Sequence, residues 1–373
     1  MRTLVISDLH MGMQGGGDVL SRPAPLDVLL ARLDGVDRLV LLGDTIELRG
    51  GPARDALATA EPVLRAIGDA LGSGAEVLVA AGNHDHALAA GWLDWRGRRA
   101  APAPLELEQR VAPRQASWIA KRIAGWLAPA AVEIVYPGVW LRDDVYATHG
   151  HYLDAHIEVP TLERVAAGVM GRLLGPLPER ATADDYEARL APLYAWIQAT
   201  AQRTAAGRRA PGTGTAAHVW TALGGDSSRR SLRRCARVVS FRLAVGAVNR
   251  AGIGPVRGDI GPDALRRAGL QAIGEAARHL RLAPAHLLFG HTHRTGMLDG
   301  DDPAQWRTAA GTRLHNAGSW TFDTHFVASG SSRSGPHWPG GAVALDDEGP
   351  PRLERLLDGL PAGALRPPRP VPR

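Results

Sequence analysis

Four residues in a row, Gly82-Asn83-His84-Asp85, set a neutral amide, an imidazole and a carboxylate side by side. Together these groups can ligate a metal ion, move a proton, and orient the imidazole that moves it. Alone the stretch is ordinary, because Gly and Asn both tolerate positive φ and such a sequence most often makes a turn. Its weight comes from four other blocks of the same kind: Ser7-Asp8-Leu9-His10, Gly43-Asp44, His149-Gly150-His151 and Gly290-His291-Thr292-His293. In Asp8-x-His10 and His291-x-His293 one residue separates the pair, so strand alternation lets both side chains point to a common place. Gly43 permits close backbone approach beside Asp44, although a helix-capping Asp is the ordinary reading of that pair.

Each block closes an apolar run of strand length. Thr3–Ile6 leads to Asp8, Arg38–Leu42 to Asp44, Glu76–Ala81 to Asn83, Val145–Thr148 to His149, and His286–Phe289 to His291. Helical spacing over Leu26–Leu33 and Ala56–Leu71 separates the first three runs, and this alternation predicts a parallel sheet with its chemistry at the carboxyl edge. Between 91 and 131 the pattern loosens around one helix, Gln115–Leu127, and strands follow at Val132–Val135 and Val139–Leu141. From 152 to 285 only helical patterns appear, at Leu162–Leu174, Asp184–Ala206 and Pro262–Leu282, and this stretch reads as a helical insertion that caps the site. Strands at Arg313–Asn316, Trp320–Val327, Ala342–Leu345 and Arg352–Leu356 complete a core divided into residues 1–151 and 286–357. The Pro-rich tail, 358–373, is expected to be disordered.

The chain of 373 residues is 45% hydrophobic and 22% charged, a globular composition with ample sequence for a core. No apolar run reaches membrane-spanning length and the N-terminus lacks a signal peptide's apolar region, so a cytoplasmic location is expected. The single Cys235 excludes an intramolecular disulfide and a cysteine-based zinc site, which leaves His, Asp and Asn to hold any metal. The net charge of +5 is local: eight arginines and no acid lie between Ser227 and Gly258. Read as a helix, that segment puts Leu232, Ala236, Val239 and Leu243 on one face with Arg230, Arg233, Arg234 and Arg237 beside it. Such a pattern suits a helix lying on anionic lipid, or a cap helix whose arginines meet substrate phosphates; a merely solvated basic face is the plain alternative.

A turn or cap explains any one block, but that reading would have to hold five times over. In this order and at these strand ends, Asp-x-His, Gly-Asp, Gly-Asn-His-Asp, His-Gly and Gly-His-Thr-His resemble the calcineurin-like metallophosphoesterase family, over residues 1–151 and 286 to about 320. The resemblance implies an α/β metallo-dependent phosphatase fold, a two-layered β core flanked by helices, and two divalent metal ions about 4 Å apart. Asp8, His10, Asp44 and His293 would hold one ion and Asp44, Asn83, His149 and His291 the other, with Asp44 bridging. His149 ends its strand directly and is favoured over His151. Oxygen and imidazole donors suit manganese first, with iron or zinc as alternatives. The implied reaction is in-line attack on phosphorus by a metal-bridging hydroxide, with His84 as general acid and Asp85 orienting its ring. His86, His156 and His286 read as surface or satisfied polar residues, and Asn316-Ala317-Gly318-Ser319 as a turn near the site.

These features imply a hydrolase of a phosphodiester, phosphomonoester or pyrophosphate bond in a lipid-linked or nucleotide substrate. The His-Gly and Gly-His-Thr-His-Arg endings resemble the branch containing UDP-diacylglucosamine pyrophosphohydrolases, and the chain departs from it at His84, where those enzymes have arginine. A nuclease of the same family would use the basic segment on phosphates, but no aromatic ladder for stacking bases accompanies it, so nucleic acid is the weaker partner. A catalytically silent scaffold would have no need of the intact ligand set. Contact with anionic lipid at the inner face of the membrane follows if the basic segment is a lipid reader.

Overall fold

The structure is a computed structural model that describes residues 1–159, 161–203, 246, 249–256, 262–323 and 335–367. Its first part runs β1 (Thr3–Ile6), α1 (Pro23–Arg32), β2 (Arg38–Leu42), α2 (Ala53–Leu71), β3 (Glu76–Ala80), α3 (Ala87–Gly97), β4 (Glu108–Val111), α4 (Pro113–Ala116), α5 (Trp118–Trp126), β5 (Ala131–Arg142) and β6 (Val145–Thr148). The described helices of the next stretch are α6 (Leu162–Leu174), α7 (Ala183–Arg203) and α8 (Pro262–His279). The chain then returns through β7 (His286–Phe289), β8 (Thr295–Gly296), β9 (Arg313–Ala317), β10 (Gly341–Leu345), β11 (Arg352–Arg355) and the short α9 (Ala362–Leu365).

Strands β1, β2, β3 and the start of β5 pair in parallel, and β6, β7 and β9 form a second parallel group. What joins the groups is β5, which pairs with β3 through Ala131–Val135 and antiparallel with β6 through its far half. The sheet therefore doubles over, and Val5, Val40, Leu78 and Val135 of one layer share a buried cluster with Val139, Val145, Ala147 and Leu288 of the other. Alternation sends the intervening residues outward. Leu4, Leu41, Val77 and Val79 meet α2 and α5, while Tyr146, Leu287 and Phe289 meet Leu270, Ile273 and Ala277 of α8. A crossover helix is what two parallel neighbours such as β6 and β7 require, so α8 belongs to the core as much as to the insertion.

Several expectations change. The sheet is mixed, because β10 is antiparallel to β1 and β4 and β6 are antiparallel to β5. Val132–Val135 and Val139–Leu141 are one strand running through Pro137, the α3 helix and β4 were not anticipated, and the expected helix 115–127 is broken at Ser117, where φ is −168°. No strand forms over Trp320–Asp323; Trp320 N instead donates to Asp8 O at 3.0 Å and the indole is fully buried, so its apolar signal reflects support for the Asp8 loop. The tail is not disordered throughout: Leu365 of α9 is buried in the core and Arg22 Nε donates to Arg366 O at 3.1 Å, contacts that outweigh the Pro-rich composition up to residue 367. Residues 368–373 lie outside the described residues.

Candidate metal centre

The five blocks meet at the carboxyl ends of β1, β2, β3, β6 and β7. Their backbone is special in a way that sequence does not display. Among the described residues, positive φ outside glycine occurs at Asp8, His10, Asp44, His291, His293 and Arg281, so five of the six are expected ligands. Each such conformation costs about 1–3 kcal/mol in an L-residue and persists only where the surroundings enforce it, commonly at working sites. Glycines make the approach possible. A Cβ on Gly43, itself at φ +86°, would lie 2.5 Å from the His149 ring, and one on Gly290 would lie 2.0 Å from Ser7 Oγ and 2.4 Å from Asp8 Oδ2.

Three overlapping groups of donors result; one, of His10, Asp44 and His84, straddles the other two. Asp8, His10 and His293 form one, with His10 Nε2 and His293 Nε2 3.0 Å apart and Asp8 Oδ1 3.2 Å from His293 Nε2. Asp44, His149 and His291 form the other, with Asp44 Oδ2 3.3 Å from His149 Nε2 and Asn83 Oδ1 3.1 Å from both His149 Nε2 and His291 Nδ1. The same Asp44 Oδ2 is 3.6 Å from His10 Nε2, so one oxygen faces both groups. His151 stays out, its Nε2 3.2 Å from Tyr136 Oη.

The hydrogen bonds around each imidazole decide which nitrogen is left for a metal. His10 Nδ1 is 3.1 Å from Glu47 Oε2, His149 Nδ1 is 2.9 Å from Leu42 O, His291 Nε2 is 3.0 Å from Asp154 Oδ1, and His293 Nδ1 is 3.4 Å from Thr321 Oγ1. The carboxylate and carbonyl partners of His10, His149 and His291 can only accept, so these three rings direct N–H outward and the remaining lone pair inward. Asp8 Oδ2 accepts from Ser7 Oγ at 2.6 Å and His291 N at 2.9 Å, while Oδ1 is buried with no hydrogen-bond partner. Burial opposes charge on these groups and the neighbours outweigh it. His149 and His293 hold Asp8 well below the usual carboxylate range, and Asp44 and Asp8 push His149 up to about 9. A cluster whose carboxylates draw protons onto imidazoles is one that divalent cations fit, since binding them releases those protons. The Asn83 amide reaches both groups in either orientation: turned over, its NH2 donates to His149 Nε2, His291 Nδ1 and Asp44 Oδ2 and its oxygen accepts from Arg49 Nη1 at 2.8 Å.

His84 borders both groups, its ring edge-on to His10 at 4.6 Å, and lines the adjoining cavity. Asp85 does not orient it, contrary to expectation. Asp85 accepts instead from the backbone N–H of Asp44, Thr45, Ile46 and Gly82, at 3.2, 2.7, 3.3 and 2.7 Å, and so fixes the loop carrying Asp44. The residue on His84 Nδ1 is Glu47, at 2.7 Å, whose Oε2 also serves His10. Burial pulls His84 below its ordinary value against the pull of Glu47.

Glu47, Asp154 and Arg49 were missed because nothing in sequence distinguishes them from loop polar residues. Arg49 is buried and donates to Glu163 Oε1 of α6 at 2.7 Å, tying the insertion to the centre. Asn316 holds the His291 loop, donating to Gly290 O at 3.1 Å and Thr292 Oγ1 at 2.8 Å. His86, His156 and His286 are satisfied and not surface residues, paired with Glu187, Tyr186 and His315 respectively. Arg230, Arg233, Arg234 and Arg237 lie outside the described residues.

The doubled sheet and the ligand groups at its strand ends define a metallo-dependent phosphatase fold. Residues 1–170 match the family model described as calcineurin-like phosphoesterase, a family that typically uses two metals. The match takes in Asp8, His10, Asp44, Asn83, His84 and His149 and stops before His291 and His293, which only the tertiary structure brings to the same place. No curated protein was found to match the chain. No helix among the described residues is long and apolar enough to cross a membrane.

Proposed function

We propose that this protein is a dinuclear metal-dependent phosphohydrolase acting on a phosphodiester, phosphomonoester or pyrophosphate bond. The observation that carries the proposal is Asp44 Oδ2, which faces both donor groups in the lining of a cavity of about 310 Å³. Asp8, His10, Asp44 and His293 would hold one divalent ion, manganese before iron or zinc, and Asp44, Asn83, His149 and His291 the second. Bound there, the ions would supply a nucleophile at neutral pH and stabilise charge on the phosphoryl oxygens.

The chain's own groups do the rest. His84, with Nδ1–H directed at Glu47, presents its other nitrogen for proton transfer to the leaving oxygen, and Glu47 supports the imidazolium that makes this possible. Asp85 acts one step removed, through the backbone that aims Asp44. The cavity's mixed lining, with Leu153, Ile157, Leu265, Leu270, Phe289 and Trp306 beside the polar donors, suits a phosphoester that also carries an apolar group. The chain's likeness to UDP-diacylglucosamine pyrophosphohydrolases is not carried further, since His84 stands where they have arginine.

Metal analysis of the purified protein, joined to a screen of mono-, di- and pyrophosphate esters with manganese, iron and zinc, tests the proposal. About two metal ions per chain and turnover of one ester class are expected; a metal-free protein inert with all of them would end it. A cytoplasmic location with peripheral contact to anionic lipid is a separate proposal that rests on the segment 227–258. Replacing Arg230, Arg233, Arg234 and Arg237 with Gln should lower co-sedimentation with anionic vesicles, and unchanged partitioning would remove the lipid contact.

A further inference from the structure

The lining of the cavity includes two cations that the reaction above leaves unused. Arg266 of α8 and Arg294, next to His293, both line the cavity, and both reach one carboxylate. Arg294 Nη2 donates to Asp301 Oδ1 at 2.6 Å and Nη1 to Oδ2 at 3.0 Å, and Arg266 Nη1 donates to Asp301 Oδ1 at 3.2 Å. Two guanidiniums on one carboxylate leave a positive charge. Arg266 also pairs with Asp263, 3.5 Å away, whose side chain is 82% exposed, so solvent screens that contact. The remaining carboxylates of that cavity, apart from Asp44, are already engaged, Asp154 by His291 Nε2 and Glu163 by Arg49 Nη2.

Three further features make this a place for an anion. Arg266 Nε is buried without a hydrogen-bond partner. Arg294 is held in position by Asp301 and by the face of Trp306, 5.3 Å from its guanidinium to the ring centre. The same cavity is lined by Leu153, Ile157, Leu265, Leu270, Phe289 and Trp306, and beside apolar surroundings a charged contact is screened less than in water.

We propose that Arg266 and Arg294 form a second anion subsite, and that the preferred substrate carries another anionic group besides the phosphoryl group presented to the metal ligands. This rests on the phosphohydrolase reading. The second group is a phosphate of a pyrophosphate ester or a carboxylate; both offer the paired oxygens that a guanidinium grips.

The test compares manganese-loaded wild type, Arg266→Gln and Arg294→Gln on three substrates: p-nitrophenyl phenyl phosphate, its 4-carboxyphenyl analogue, and P1-p-nitrophenyl P2-phenyl pyrophosphate. Wild type should show about tenfold lower KM for at least one of the two substrates with a second anion, and that one identifies the group. Each arginine variant should lose about tenfold more kcat/KM on it than on the phenyl ester, the size of one lost charged hydrogen bond. Asp301→Asn, which removes the competing carboxylate, should move KM the opposite way, a sign that damage to the fold would not produce. Absence of a charge preference in wild type, or equal losses on all three substrates, overturns the subsite. Calorimetry of the metal-loaded protein with methylenediphosphonate against methylphosphonate reads the same contrast without turnover. Failure to hydrolyse any ester therefore counts against the phosphohydrolase reading, while the binding contrast in the arginine variants still decides the subsite.

Discussion

Two sides of one cavity are built on different plans. On the strand-end side short side chains converge from five loops, five of them on left-handed backbone, and glycines let the loops touch. Beside it, the long side chains of Arg266 on α8 and of Arg294, which follows His293, line the same cavity together with apolar residues. The first plan fixes position through the backbone and tolerates almost no change. The second fixes charge and shape through side chains and leaves room for different substrates. On the proposed reading, the strand ends would carry the reaction and Arg266 and Arg294 would select what is brought to it.

The comparison can be broken at several points, in descending order of effect. Asp44→Asn should reduce ester hydrolysis by about 10³-fold or more and lower metal content, because one oxygen faces both donor groups; retained activity with full metal occupancy would break the strand-end side of the argument. Gly290→Ala should cost about 10²-fold by driving a methyl into Ser7 and Asp8, while Gly300→Ala, with nothing within 4 Å, serves as the neutral control; equal behaviour of the two would show that close packing is not what places Asp8.

Glu47→Gln should cost about 10- to 100-fold, since it loosens His10 and His84 together. If His84 is the proton donor, His84→Ala will fall much further on alkyl esters than on p-nitrophenyl esters, and uniform losses would argue against that role. The smallest effect lies outside the cavity lining, at His315. Burial, helped by His286 and Arg313, lowers His315 to about 4. Between pH 6.5 and 4 the unfolded chain binds this proton and the folded one does not, so stability is complete above 6.5 and declines as pH falls through that window. Urea midpoints should drop from pH 7.5 to 5, and His315→Asn should flatten the decline by on the order of 1 kcal/mol; an unchanged slope would place the acid sensitivity elsewhere.

Strand positions were readable because buried parallel strands are continuous apolar runs, as in Glu76–Ala80 and Arg38–Leu42. The two-layered core followed from the family resemblance, but how one strand joins the layers did not, because Ala131–Arg142 reads as two strands about Pro137 and only its two sets of partners show it to be one. Asp85 was assigned to His84 on adjacency alone, yet side chains of neighbouring residues diverge, and Glu47 from another loop fills the place. The arginines singled out in sequence were those that cluster; Arg266 and Arg294 stand 28 residues apart and meet only through Asp301.

What the sequence settled alone was the identity of the chemistry: which residues can donate lone pairs, and that each follows a strand, since residue type and local periodicity are properties of short segments. Tertiary structure decided which nitrogen of each histidine faces inward, which carboxylate serves His84, and which cations line the cavity. Those depend on contacts between loops dozens to hundreds of residues apart, such as His291 Nε2 with Asp154 and Asp8 Oδ2 with His291 N, and no local pattern encodes them.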